Sequence, residues 1–187
     1  MRRKIKNNKR GVLISWLAVI LSIVIVEGIG LLKEGTITGA LVLGGTGACG
    51  SNISGIVTLN ESITGCTGGY AINITSDGTT LDCQNYNITG IATDLILSEN
   101  RNDITIKNCI IINSGLFSSG NPGSGIKLSG TTNSTIKNST ITTTRDYGYG
   151  VKVQGGQDNQ VLRINITTQG QEGLGIFASS TSNISAT

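Results

Sequence analysis

Apolar and polar residues alternate along this chain in short runs, and the runs return at a fixed interval. Gly125-Ile126-Lys127-Leu128 reappears as Gly150-Val151-Lys152-Val153 and again as Gly175-Ile176-Phe177-Ala178, at one constant spacing. Alternation with period 2 predicts strands that bury Ile126 and Leu128 and turn Lys127 outward. A constant interval between such strands predicts a solenoid of stacked repeats. A second run accompanies each first one. Ile104-Thr105-Ile106-Lys107-Asn108 is matched by Ser134-Thr135-Ile136-Lys137-Asn138 and by Gln160-Val161-Leu162-Arg163-Ile164. An Asn marks the turn before each (Asn102, Asn133, Asn159), and Asn183 stands before Ile184. Two or three short parallel strands per coil, closed by Asn-bearing turns, predict an all-β parallel β-helix.

Composition changes this picture little. Charged residues make up 13% and aromatics 4% of the chain, with 27 Gly and no His. Such values suit a disordered chain, but the regular Ile, Leu and Val spacing argues for a narrow aliphatic stack with many turns. The formal charge of +3 is concentrated at the start: residues 1–10 hold six of the 14 basic residues and no acid. The remaining eight bases face 11 acids, so residues 11–187 sum to −3 and offer no basic nucleic-acid surface.

The basic tail 1–10 precedes an apolar stretch, 11–32, interrupted only by Glu27. A helix needs about 20 residues to cross a bilayer, and this stretch is long enough. The tail then stays on the cytoplasmic side and the rest of the chain lies outside. Three readings stand: an uncleaved signal anchor, a cleaved secretory signal, and a pilin-type signal processed near Arg10-Gly11-Val12-Leu13. Residues 33–48 read as a Gly/Thr-rich linker with an edge strand at Ala40 to Leu43. The regular solenoid is expected over 49–187, as five to six coils forming a rod roughly 25 Å long.

Cys49-Gly50, Val57-Thr58-Leu59, Cys66 and the run from Thr79 through Leu81-Asp82-Cys83-Gln84-Asn85 to Gly90 resemble the opening coils of secreted right-handed β-helix proteins. These are the pectate-lyase-like and NosD-like repeat proteins of archaeal cell surfaces. The resemblance covers about 49–187 in pattern and implies fold. Function stays open, because lyases, hydrolases, epimerases, adhesins and coat proteins share this scaffold. The sequence stops in mid-coil at Ile184 to Thr187 with no capping helix, which reads as a fragment or as an end covered by another subunit.

An exported chain with an even number of cysteines favours disulfides. Three connectivities exist for Cys49, Cys66, Cys83 and Cys109. Cys49 with Cys66 and Cys83 with Cys109 is preferred, because each pair then links adjacent coils. With no Cys-x-x-Cys and no His, neither a metal nor another cofactor is expected. Eight Asn stand in glycosylation sequons: Asn52, Asn60, Asn73, Asn87, Asn133, Asn138, Asn165 and Asn183. Asn73 and Asn165 have outward parity. Asn138, like Asn108, has inward parity and is expected in an internal stack, unmodified.

No catalytic residue is identified. The acids show no outward pair one coil apart, and the paired-Asp and Gly-His-Gly signatures of polygalacturonases are missing. Two features remain as carbohydrate-binding candidates. One is an outward basic ladder of Lys107, Lys137 and Arg163, with Lys127 and Lys152 as a second. The other is the loop Arg145-Asp146-Tyr147-Gly148-Tyr149, beside Leu116-Phe117 and Glu172. The reading is a membrane-anchored extracellular surface protein, structural or adhesive, with a polysaccharide or another surface protein as partner. A polysaccharide lyase or hydrolase and a pilin-like filament subunit are the alternatives.

Overall fold

The computed structural model describes residues 36–37, 41–115, 122–180 and 183–186. The apolar segment 11–32, whichever signal it represents, lies outside them, as do Leu116 and Phe117. Among the described residues no helix is long and apolar enough to cross a membrane.

The chain winds into a parallel β-solenoid whose coils are stacked in register. One ladder holds seven strands: Thr36–Ile37, Ser51–Ile53, Tyr70–Ile74, Asp94–Glu99, Ser124–Ser129, Tyr149–Gln154 and Leu174–Ser179. A second runs through Leu41–Leu43, Ile56–Leu59, Thr80–Asp82, Thr105–Lys107, then the first parts of Thr135–Thr143 and Gln160–Thr168, then Ser185–Ala186. A third runs through Ile63–Cys66, Asn87–Gly90, Ile110–Asn113 and the later parts of those same two long strands.

The interior is a set of aliphatic columns. Val57, Leu81, Ile106, Ile136 and Val161 stack from the second ladder. Ile63, Ile88, Ile111 and Ile141 stack from the third, and Ile72, Ile96, Ile126 and Val151 from the first; half-buried Ile166 and exposed Ile176 (36%) extend these two columns. Full burial of each such side chain contributes about 1.5–3 kcal/mol, so the core grows coil by coil. The recurring glycine of the first ladder has a steric cause. A Cβ at Gly125 would run into Ile141, and one at Gly150 into Ile166, where the third ladder fills the space beneath the first.

The solenoid begins earlier than the expected boundary at Cys49. Leu41–Leu43 pairs with Ile56–Leu59 in parallel register, so much of the 33–48 stretch belongs to a first coil. The step from Leu41 to its partner Val57 is much shorter than the step from Ile126 to Val151, which hides this coil from a search at the common interval.

The corner between second and third ladders overturns three parity-based expectations. Asn108, Asn138 and Arg163 share one corner position, each with positive φ (55°, 50° and 48°). A left-handed residue breaks the alternation of faces. Asn138 is therefore exposed, not internal, and Asn108 is half-buried. Leu162, not Arg163, follows Lys107 and Lys137 in register, so Arg163 stands off the basic ladder. The turn asparagines also divide. Asn102 aligns with Thr132 and Gln157. Asn133 sits in a left-handed column with Asp103, Asp158 and Asn183, where Asn133 donates to Asp103 and Asn183 to Asp158. Asn159 is fully buried, donating to Thr131 O at 2.9 Å and accepting from Ser134 N–H at 3.1 Å.

Both expected disulfides are present, Cys49–Cys66 and Cys83–Cys109, leaving no free cysteine.

Candidate functional site

The outer face of the first ladder gathers charged, hydroxyl and aromatic side chains close together. Asp94, Ser124, Tyr149 and Leu174 form one outward column, and Leu97, Lys127, Lys152 and Phe177 the next. A break in the alternation of faces, with no shift of register, makes this arrangement. Leu95 and Ile96 are both fully buried, so the parity shifts after Asp94 and brings Glu99 to the same outer face. Simple alternation places residues 94 and 99 on opposite faces, and for that reason the pair escapes a search by parity.

Lys127 bridges the two acids, with its Nζ 3.9 Å from Asp94 Oδ2 and 3.5 Å from Glu99 Oε1. Ser124 Oγ donates to Asp94 Oδ1. Asp94 is buried although it faces outward. That burial pushes its carboxyl above the usual 3.8, and the Ser124 bond and the charges of Lys127, Lys152 and Arg145 only partly counter it. Beside this cluster the rings of Tyr149 and Phe177 stack at 4.8 Å with 29° between planes. Lys152 Nζ lies 5.4 Å from the Tyr149 ring centre and makes no ion pair among the described residues.

The remaining candidates are dispersed. Arg145 is buried, and its Nη1 donates to Ala92 O at 3.1 Å; it braces the corner from beneath and leaves its guanidinium off the surface. Asp146 accepts from Gln171 N–H at 2.8 Å, which stacks loop 145–147 on the loop of the next coil. Tyr147 is exposed at 39%. Lys107 and Lys137 lie on the second ladder, a different face. There Lys107 pairs with Asp82 at 3.1 Å. Partial burial raises the Asp82 carboxyl, but hydrogen bonds from Asn108, Gln84 N–H and Lys107 outweigh it, and the net effect lowers its pKa. Among the described residues no three of His, Cys, Asp and Glu cluster as metal ligands.

Burial of Asp94 makes stability depend on pH. A carboxyl whose pKa is raised by folding stabilises the protein fully below its unfolded value, near 3.8, and that contribution is lost as pH rises through the folded value. Asp94→Asn keeps the shape and removes the titration. Its thermal midpoint relative to the parent is expected to rise between pH 4 and pH 7 (about 1–4 °C); a pH-independent difference in calorimetry refutes the assignment.

Chemically, the face offers a flat aromatic surface, a lysine outside any ion pair among the described residues, and two acceptor carboxyls on a rigid frame. The family model of the right-handed β-helix region matches residues 70–187. No curated protein and no solved structure matches the chain. The repeating coil, its three in-register ladders and that match over more than half of the sequence agree: the chain belongs to the right-handed β-helix family.

Proposed function

We propose that this protein is a cell-surface β-helix that binds an acidic polysaccharide on the outer face of its first ladder and does not turn it over. In this reading the apolar segment 11–32 carries the solenoid across the membrane and either anchors it or is cleaved. The observation carrying the binding role is the stacked Tyr149–Phe177 pair with Lys152 beside it. Aromatic faces suit the apolar face of a sugar ring, and a lysine with no carboxylate in ion-pair contact among the described residues suits a uronate or sulfate group. The coil-to-coil hydrogen bonds hold these groups in place before a ligand arrives, which lowers the entropy cost of binding. Lys107, Lys137 and Arg163 lie around the corner and would reach only a chain that wraps the rod.

The intact protein titrated calorimetrically against acidic and neutral polysaccharides tests this. Tyr149→Ala is expected to weaken binding of every ligand about fivefold, consistent with a stacking contribution near 1 kcal/mol. Lys152→Ala is expected to weaken only the acidic ligands. Binding to none of them, or binding indifferent to Tyr149→Ala, sinks the reading.

One observation favours the cleaving alternative. Asp94 is held toward its protonated form while Glu99 is exposed on the same face, and two carboxyls with diverging environments are the raw material of acid–base chemistry. Release of reducing ends during the same titrations, abolished by Asp94→Asn, replaces the binding reading with the catalytic one.

A further inference from the structure

The outer face of the third ladder differs from the other two. Its outward residues are Thr64, then Asn87 and Thr89, Ile110 and Ile112, Thr140 and Thr142, and Asn165 and Thr167. None carries a charge. A flat, uncharged strand face rich in Thr and Ile is prone to associate with others of its kind, and exported β-proteins ordinarily guard such faces with charge. Here two sequons lie on it or at its edge. Asn138 occupies the left-handed corner where this face begins, and Asn165 lies one coil further, in register with Thr140.

The eight sequons are not equivalent once folded. Asn73 Nδ2 donates to Asn52 Oδ1 at 2.9 Å, and Tyr70 Oη also donates to that oxygen at 3.3 Å. Asn133 Nδ2 is held by Asp103, and Asn183 Nδ2 by Asp158 at 2.9 Å. A sugar on any of these three amide nitrogens takes one of its two N–H bonds and has to fit beside the cross-coil acceptor that the other one holds. Asn87 is half-buried, and in the Asn60 sequon the Ser62 hydroxyl accepts the Asn87 N–H at 3.1 Å. Only in Asn138-Ser139-Thr140 and Asn165-Ile166-Thr167 are both the Asn and its Thr exposed without such a commitment.

We propose that Asn138 and Asn165 are the N-glycosylated positions, and that their glycans cover the uncharged face of the third ladder. This rests on the reading that the chain is exported. The donor is a lipid phosphate-linked oligosaccharide. A bond forms between the Asn Nδ2 and the anomeric carbon, the bond from that carbon to the lipid phosphate breaks, and the amide proton leaves with the phosphate. Asn73, Asn133 and Asn183 stay bare, and the first-ladder face is left open for ligand.

The full chain, produced in a host that N-glycosylates exported proteins, tests this through glycopeptide masses after cleavage at Lys, Arg and Glu. Cleavage at Glu172 separates Asn165 from Asn183. Sugar on Asn138 and Asn165, with Asn73, Asn133 and Asn183 bare, is expected. A bare Asn138 in protein whose disulfides have formed overturns the proposal alone; bare sequons together with free thiols overturn the export reading as well. Thr140→Ala removes the sequon without touching the left-handed Asn138. Combined with Asn165→Gln, it is expected to shift the protein from monomer to higher species in sedimentation at least fivefold more than the parent. A double variant that stays as monodisperse as the parent, with its disulfides formed, overturns the covering role.

Discussion

Replacing Cys83 and Cys109 together by alanine is expected to lower unfolding stability by about 3–4 kcal/mol. The bond spans 26 residues and ties the Thr80–Asp82 coil to the Thr105–Lys107 coil at their common corner. Closing a loop of that length removes about that much chain entropy from the unfolded state. Both cysteines are buried, at 0% and 1% exposure, so a reductant must wait for the corner to open. Urea unfolding of parent and variant, with and without reductant, reads the effect. The parent should resist reductant below its urea midpoint, and the variant should not respond to it except through Cys49–Cys66, which spans 17 residues. A loss below about 1 kcal/mol would show that the stacked coils already hold this corner without the link.

Asn113→Leu is expected to cost about 2–4 kcal/mol, although it exchanges a polar residue for an apolar one of similar size inside the protein. Asn113 is fully buried. Its Nδ2 donates to Ala92 O at 3.1 Å and to Ser124 O at 2.9 Å, joining the third ladder to the chain segments that frame the Asp94 site. Leucine takes that donor from the Ser124 carbonyl and the acceptor from the Gly115 N–H, which donates to Asn113 Oδ1 at 3.4 Å, and leaves the Ala92 carbonyl with Arg145 Nη1 as its side-chain donor. Each buried group that loses its partner carries a desolvation penalty. Asn113→Asp should be at least as damaging near neutral pH, since its carboxylate faces the same two carbonyl oxygens. A thermal midpoint unchanged by either substitution refutes the role.

The repeat was legible wherever a coil has the common length. The columns built from Ile106, Ile136 and Val161, and from Ile126 and Val151, follow from alternation and a near-constant step. The Cys83–Cys109 pair was legible for the same reason, being 26 residues and so about one step apart, and it leaves Cys66 as the partner of Cys49. What alternation does not carry is any residue that leaves the β region or breaks the pleat. The left-handed corner at Asn108, Asn138 and Arg163 reverses the faces there, moving Asn138 outward and Arg163 off the ladder. The two consecutive buried residues Leu95 and Ile96 do the same for Glu99 and so conceal the acid pair. Arg145 illustrates a further limit: beside Asp146 and two tyrosines it reads as a surface ligand, whereas its burial against Ala92 depends on glycines 115 and 123, which leave room for the guanidinium. Nothing local in the chain announces that space.

Both disulfides fall in the coils before residue 110, and the coils from Ser124 onward are joined by hydrogen bonds and packing alone. Under tension along its length, such a rod is mechanically lopsided. Pulling should peel the later coils one at a time, each release freeing about 25 residues, or roughly 85 Å of extended chain. The cross-linked coils nearest the amino-terminal side would keep their shape while the outer ones yield and rewind. A β-helix built this way lengthens under a pull in a series of small steps, taken first in the coils that carry no cross-link.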